Sequence, residues 1–490
     1  MKLDGVQRDI RNYINGRWET GATIGISENP SDPREIVAEY ARADRHQTQQ
    51  AVRAAADAFA PWSRTDPQRR ADALDQIGSE LLARKEELGM LLAREEGKTL
   101  PEAVAEVVHA GQIFKFFAGE AVRSAGEVFP AARPGVQVDV NREPVGVVAL
   151  MASWCFPFAV PASKIAPALA YGNSVVFKPA ELVPACGWAL ADIISRAGLP
   201  AGVFNLVMGG DREVGQTLID SPALDGLSFT GTEAEAERIL RATGQRHTRL
   251  QLETLGKNPL VVLADADLDH AVECAVRSAY FATGQRCSAS NRLIVEAAVH
   301  DVFVGRLQKR LAGLHIGHAL SPGIDIGPVI DRRQLKRDLD SVQQAKAEGA
   351  QHVFGGEHLE RPTPGHFMSP ALFLAQPEQR IARENVFGPI ACVLRAEDAD
   401  HALALANDPP YGLCMGVCTR SLQQAAHFRR HARADTVLVN MPTADADLQM
   451  LCGTRRSNHR GLRSHGHARH GAHNAAEFYT TVKTAYTMTH

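Results

Sequence analysis

The spacing of apolar and polar positions changes character near residue 144 and divides the chain into two textures. Before that point the period is mostly helical. Alanine-rich residues 47–62 place apolar side chains three and four apart, which predicts an amphipathic helix. Pro67 opens a longer run of the same period, RRADALDQIGSELLARKEELGMLLAREEG, and a third helix is predicted over residues 101–121. Residues 13–18, YINGRW, read as a short strand and turn. Residues 126–142, rich in Pro, Gly and Val, have no helical period and read as an extended hairpin arm.

From Pro144 onward, strand-like runs (VGVVALM, SVVFKP, VFNLVMG, GLSFTG) alternate with helical runs at residues 164–171, 186–197 and 212–220. That alternation predicts parallel βαβ units, whose ligands bind at the carboxyl ends of the strands. Residues 260–263, LVVL, close this half as a buried strand. Beyond them come a helix over 268–282 and a strand over 293–296, then helices over 300–312, 333–348, 400–407 and 423–433. A domain boundary falls near residue 258. The closing EFYTTVKTAYTMT alternates like a strand and is expected to pair with the arm near residue 130.

Composition narrows the function classes. At 490 residues, 45% hydrophobic and 22% charged, the chain is an ordinary globular sequence with room for about three domains. A net charge of −3 argues against nucleic acid or an anionic membrane as partner. No apolar run reaches the ~18 to 20 residues that span a bilayer, and the N-terminal stretch lacks the apolar core of a secretory signal. Eight irregularly spaced cysteines form no disulfide framework. Cys414 and Cys418 have no matching second pair, so no metal site is expected. The expectation is a reduced, cytoplasmic protein.

Chemistry concentrates in residues 281–290, FATGQRCSAS. Cys287 sits there after a helix, in a polar and flexible setting. A lone cysteine is most often a small buried hydrophobe, but a thiol so placed is a candidate nucleophile. The stretch KIAPALAYGNSVVFKPAELVPACGWALADIISRAGLPAGVFNLVMG, together with FATGQRCSASNRLIV and EFYTTVKTAYT, resembles the NAD(P)-dependent aldehyde dehydrogenase superfamily from about residue 14 to 486. Within it, the likeness is to bacterial α-ketoglutaric semialdehyde (2,5-dioxovalerate) dehydrogenases.

The resemblance implies an α/β fold. It would comprise a Rossmann-like cofactor domain (residues 1–122 and 144–258), an α/β catalytic domain (259–445) and a small β oligomerisation arm (123–143 and 475–490). It implies oxidation of a small aldehyde, such as 2,5-dioxopentanoate, by a homodimer or homotetramer. Cys287 is then the nucleophile and Glu253, in LQLETLGKNP, the general base. NAD or NADP would lie against Trp154, Lys178, Glu181, Phe229, Gly231, Thr232, Asn385 and Phe387. In that frame Glu181 bonds the adenosine ribose and favours NAD, and residues 229–232 run beneath the pyrophosphate.

Departures from the family pattern raise a competing expectation, a catalytically impaired member serving as a binding or structural subunit. Cys155, in Ser153-Trp154-Cys155-Phe156-Pro157, replaces the asparagine expected to donate to the oxyanion, and a thiol is a weak donor. Leu255 stands where a glycine is expected. Asn385 replaces a glutamate, and Glu233, Glu235, Ala236 and Glu237 crowd the start of the helix beneath the phosphates. Residues 446–474 diverge entirely. Their core, RRSNHRGLRSHGHARHGAH, is basic, histidine-rich and without acids, and reads as a disordered solvated loop. A stretch translated out of frame between two compensating shifts would look the same, which reading the coding DNA in three frames tests.

Overall fold

A computed structural model of the chain describes residues 7–123, 126–254, 256–445 and 475–488. Leu255 and the Arg/His-rich stretch of residues 446–474 lie outside the described residues.

Two seven-stranded sheets carry the architecture. In the first, Arg249–Thr254, Gly226–Gly231, Val147–Met151, Ser174–Lys178 and Phe204–Leu206 lie side by side and parallel. The antiparallel pair Asn12–Ile14 and Arg17–Glu19 extends one edge. The strand Val147–Met151 is buried along its whole length, as expected for a parallel strand covered on both faces. Strand order reverses between Val147–Met151 and Gly226–Gly231, and such a reversal opens a crevice at the carboxyl ends. The second sheet runs Gln351–Phe354, Ala371–Leu374, Ile390–Ala396, Arg292–Glu296, Pro259–Val262, Cys414–Cys418 and Thr436–Val439. The chain passes from the first sheet to the second between Thr254 and Pro259.

A smaller sheet bears out the expected return of the C-terminus to the arm. Thr480–Met488 pairs antiparallel with Val136–Pro144, the second strand of the arm, which in turn pairs with Glu127–Pro130. The first residues of the predicted terminal strand instead form a helical turn, Ala475–Tyr479. There, buried Phe478 and Tyr479 join the main core.

Other expectations also need correcting. The run after Pro67 is two helices, Pro67–Ala83 and Lys85–Glu96, broken at Arg84 (φ −104°, ψ 16°). The Arg84 guanidinium binds Glu80 at 3.0 Å and Glu87 at 2.9 Å across the break. Hydrophobic period cannot show such a break, since the stripe continues through it. Two long strands, Thr23–Asn29 and Asp32–Arg42, were not legible; in the first, small and polar Gly25, Ser27 and Asn29 face inward while Ile24 and Ile26 are exposed, the reverse of the usual pattern. The residues around Glu253, to which hydrophobic pattern alone assigned no element, form the strand Arg249–Thr254.

Candidate active site

The thiol sits on a strained loop. Helix Leu268–Tyr280 ends, and Ala282, Thr283 and Gly284 follow with φ of 50°, 57° and 67°. Left-handed backbone costs a non-glycine residue roughly 1 to 2 kcal/mol, so two such residues persist only where the surroundings impose them. Here they do. Glu102 Oε1 accepts the Ala282 N–H at 2.7 Å, and Thr283 Oγ1 donates to the Gly327 carbonyl at 3.3 Å. Gln285 Oε1 accepts from the Ile330 N–H at 2.9 Å. A Cβ on Gly284 would stand 2.2 Å from the Gly388 carbonyl oxygen, so only glycine fits. Asn258 Nδ2 then donates to the Cys287 carbonyl at 2.7 Å.

Cys287 itself is half-buried. Burial pushes its thiol well above the ordinary range, and the neighbouring Cys155, Glu253 and Cys414 push it further, against a weaker opposite pull from Arg286. The Arg286 Nη2 is committed to the carbonyls of Arg277 and Ser278. The resting group is therefore a neutral thiol, and it needs a base to become a nucleophile.

Glu253 occupies the next-to-last position of its strand, paired with Thr230 across the sheet. Its Oε2 accepts from Thr230 Oγ1 at 2.6 Å and lies 3.3 Å from Lys164 Nζ. Its side chain remains 30% exposed, so a substrate or water can reach it. Lys164 is completely buried and also donates to Ser228 Oγ at 2.7 Å, which in turn donates to Gln251 Oε1 at 2.6 Å. Burial lowers the Lys164 pKa, while Glu253 and Cys287 oppose that shift.

Cys155 is buried, and its Sγ lies 3.2 Å from Ser153 Oγ. Burial pushes its thiol up to about 11, so it stays protonated and remains a weak donor. The loop that carries it is tied to a buried cluster in residues 95–106. Lys98 Nζ donates to the Cys155 carbonyl, pairs with Glu106 at 2.6 Å and lies 3.9 Å above the Phe156 ring centre. Glu106 Oε1 accepts from the Phe158 and Ala159 N–H groups at 2.9 and 3.2 Å, capping helix Ala159–Ala170. Glu102 joins the same helix Leu100–Val122 to the nucleophile loop. The sequence reading missed this cluster. Its one signal was the pair of acids at Glu102 and Glu106, four apart beside the apolar stripe of a helix.

The groups assigned to the cofactor fall along the carboxyl ends of the first sheet and on the facing loop of the second. The Ala152 N–H donates to the Lys178 carbonyl at 3.2 Å, and the Trp154 and Phe387 rings meet edge to face at 5.1 Å. Lys178 Nζ, nearly buried, pairs with Asp211 at 2.9 Å, and Glu181 pairs with Arg42 at 2.7 Å. Asn385 Nδ2 donates to the Gly256 carbonyl at 2.9 Å, which turns its lone acceptor oxygen to other use. Phe229 is buried, with its ring folded over Gly231. Thr232 caps helix Glu233–Thr243 by accepting from the Glu235 N–H, and Glu235 is held by Arg238. The first turn is thus acidic, as the sequence indicated. Aromatic walls, one buried cation and acceptors at the strand ends suit a dinucleotide.

A strand-order reversal lined by Glu253, a half-buried thiol and these side chains is the arrangement expected of a nicotinamide-dependent oxidoreductase. The aldehyde dehydrogenase family model matches residues 19–485, and the chain belongs to that family. It is 38% identical over 485 residues to the α-ketoglutarate semialdehyde dehydrogenase of Haloferax volcanii, covering 97% of this chain and 98% of the relative. It is 34% identical to the α-ketoglutaric semialdehyde dehydrogenase of Bacillus subtilis, covering 99% of each chain. Betaine aldehyde dehydrogenase from Staphylococcus aureus, solved in complex with NAD+, superposes with a TM-score of 0.93 at 30% identity, covering 98% of this chain and 95% of that one. The chain is accordingly an NAD(P)-dependent aldehyde dehydrogenase in fold and class. Among the described residues, no helix is long and apolar enough to cross a membrane.

Proposed function

We propose that this chain oxidises a small dicarboxylic semialdehyde, of the α-ketoglutaric semialdehyde type, to the carboxylate, with Cys287 as nucleophile and Glu253 as base. The position of Glu253 carries this reading: it is held at a strand end by Thr230 and Lys164, and its charge reaches the Cys287 thiol. The substrate class rests on the names of the relatives.

Glu253 takes the thiol proton, and the Cys287 sulfur adds to the aldehyde carbon. The Cys287 backbone N–H and the Ser153–Cys155 pair would be the donors to the oxygen that gains charge. When bound, the nicotinamide supplies the hydride acceptor. Loss of hydride from the carbon leaves a thioester on Cys287, and Glu253 releases the thiol proton to solvent. Glu253 then takes a proton from the water that hydrolyses the thioester and returns it to the departing Cys287 sulfur, so that carboxylic acid leaves and the thiol is restored. Trp154 and Phe387 would wall the nicotinamide end, Asn385 would accept from its ribose, and Lys178 and Glu181 would hold the adenosine ribose.

The domain assignment follows the sheets: residues 1–122 and 144–258 bind cofactor, 259–445 carry the nucleophile, and the arm mediates assembly in the cytoplasm. Val128, Phe129, Val482, Tyr486 and Met488 are exposed on that arm, a large apolar display on a three-stranded sheet with open edges. A homodimer or homotetramer covers it.

NAD(P)H formation with a panel of aldehydes, for the wild type and Cys287→Ala, tests the chemistry. Activity that Cys287→Ala lowers at least about a thousandfold is the expected result. Equal inactivity of both folded proteins would leave the non-catalytic subunit as the better reading.

A further inference from the structure

Two cations that the oxidation does not use are buried at the edge of the second sheet. Lys257 and Arg292 lie at the starts of adjacent parallel strands: Pro259, two residues past Lys257, pairs with Arg292, and Arg292 pairs on its other side with Cys392. Both side chains reach the last turn of helix Ala399–Asn407. Arg292 Nη1 donates to the Leu405 carbonyl at 2.7 Å, and Lys257 lines a cleft walled by Ala406 and Asn407. Lys257 is 2% exposed and Arg292 not at all.

Neither cation has a carboxylate of its own. The acids whose charge reaches them are committed elsewhere, Asp408 to Arg383 at 2.9 Å and Glu384 to Arg380 at 2.7 Å. Cys392 supplies no thiolate, since burial pushes its thiol up and its Sγ donates to the Ile381 carbonyl. Among the described residues, no hydrogen bond or ion pair engages the Lys257 amine, and Arg292 Nε and Nη2 have no acceptor. A lysine can shed its proton: burial lowers Lys257 to about 8, with Arg292 adding to the shift and Cys392 and Glu384 opposing it. An arginine has no such escape. Its Nε–Nη2 edge carries two parallel donors, the fork that fits two oxygens of a planar anion. The cleft offers at most about 220 Å³, less than the ~300 Å³ where ordinary ligand pockets begin, so its occupant is small.

We infer that Lys257 and Arg292 form an internal anion site, which takes a small, singly charged planar oxyanion of the formate or bicarbonate kind. The Arg292 edge donates to two of its oxygens and the Lys257 amine donates to one of them. The ion ties the starts of strands Pro259–Val262 and Arg292–Glu296 to the end of helix Ala399–Asn407. It does so beside Asn258, whose amide holds the Cys287 carbonyl. Neither cation is among the groups assigned to substrate or cofactor.

Thermal unfolding of the whole chain in sodium formate, against sodium chloride at equal ionic strength, tests this. For the wild type, formate should raise the midpoint saturably, by at least about 2 °C above chloride. Lys257→Met should abolish that formate-specific rise. In chloride the same variant should melt no lower than wild type, because it removes a buried unpaired charge at similar volume. Arg292→Lys keeps a charge but loses the fork, so the formate concentration giving half the rise should grow at least about tenfold. Equal wild-type midpoints in the two salts, or a formate rise that survives in Lys257→Met, would overturn the site. So would a Lys257→Met variant that melts well below wild type in chloride, since the amine would then have a partner within the protein. The Lys257→Met result decides even where Arg292→Lys does not fold.

Discussion

Glu102 Oε1 accepts the backbone N–H of Ala282 at 2.7 Å, across 180 residues of sequence. One buried carboxylate thus links helix Leu100–Val122 to the first left-handed residue of the nucleophile loop, five positions before Cys287. Its other oxygen accepts the Thr99 N–H at 3.0 Å and completes the cap of its own helix. Loop geometry and helix start are set by the same side chain.

Removing that carboxylate should damage both. Glu102→Ala leaves two buried N–H groups without an acceptor and releases the strain at Ala282 and Thr283. We expect a loss of about 2 to 4 kcal/mol in denaturant unfolding and a fall in kcat larger than any change in KM. Glu102→Gln, which keeps an acceptor, should recover part of both. A variant as stable as wild type would show that the loop is held by other contacts.

The second prediction concerns Cys155. Its neutral thiol offers the developing oxyanion little, and a missing donor of this type costs about 100- to 1,000-fold in rate. Cys155→Asn is therefore expected to raise the rate of the chemical step, measured in a single turnover, by at least about tenfold. Ser153, 3.2 Å from the sulfur, is the group positioned to compensate. An unchanged rate in Cys155→Asn, together with a loss in Ser153→Ala, would assign the donor role to the serine.

The resting state of Cys287 gives a pH prediction with a definite sign. Burial raises its pKa well above 9.0, so at neutral pH the thiolate fraction is small and grows about tenfold per pH unit. Alkylation of Cys287 by iodoacetamide in the cofactor-free protein should keep accelerating through pH 9 without reaching a plateau. A plateau near neutrality would mean that a standing positive field already ionises the thiol.

Assembly is open to a direct test on the arm. Tyr486 is 73% exposed on the outer strand, next to exposed Val482 and Met488. Tyr486→Asp places a charge in the proposed interface and should shift the sedimentation profile toward smaller species, at concentrations where wild type remains associated. Folding of the protomer should be unaffected, since the side chain touches no core. An unshifted profile would move the interface elsewhere.

Much of this molecule was legible from residue order alone. Period and alternation located the helices and the buried strands of the first sheet, because a fully buried parallel strand is a continuous apolar run. Motifs singled out Cys287, Glu253 and the cofactor groups, since local chemistry at a strand end or loop is written in adjacent residues. What the tertiary structure decided is of another kind. Arg42 meets Glu181 across 139 positions (181 − 42), Lys164 meets Glu253 across 89, and Glu102 holds a loop 180 residues away. A charged side chain in sequence reads as solvated surface. Only packing shows which charges have lost their water and taken a distant partner: in this protein buried Glu102 and Lys164 hold the Cys287 loop and Glu253, while the exposed Arg42–Glu181 pair ties the rim of the cofactor site.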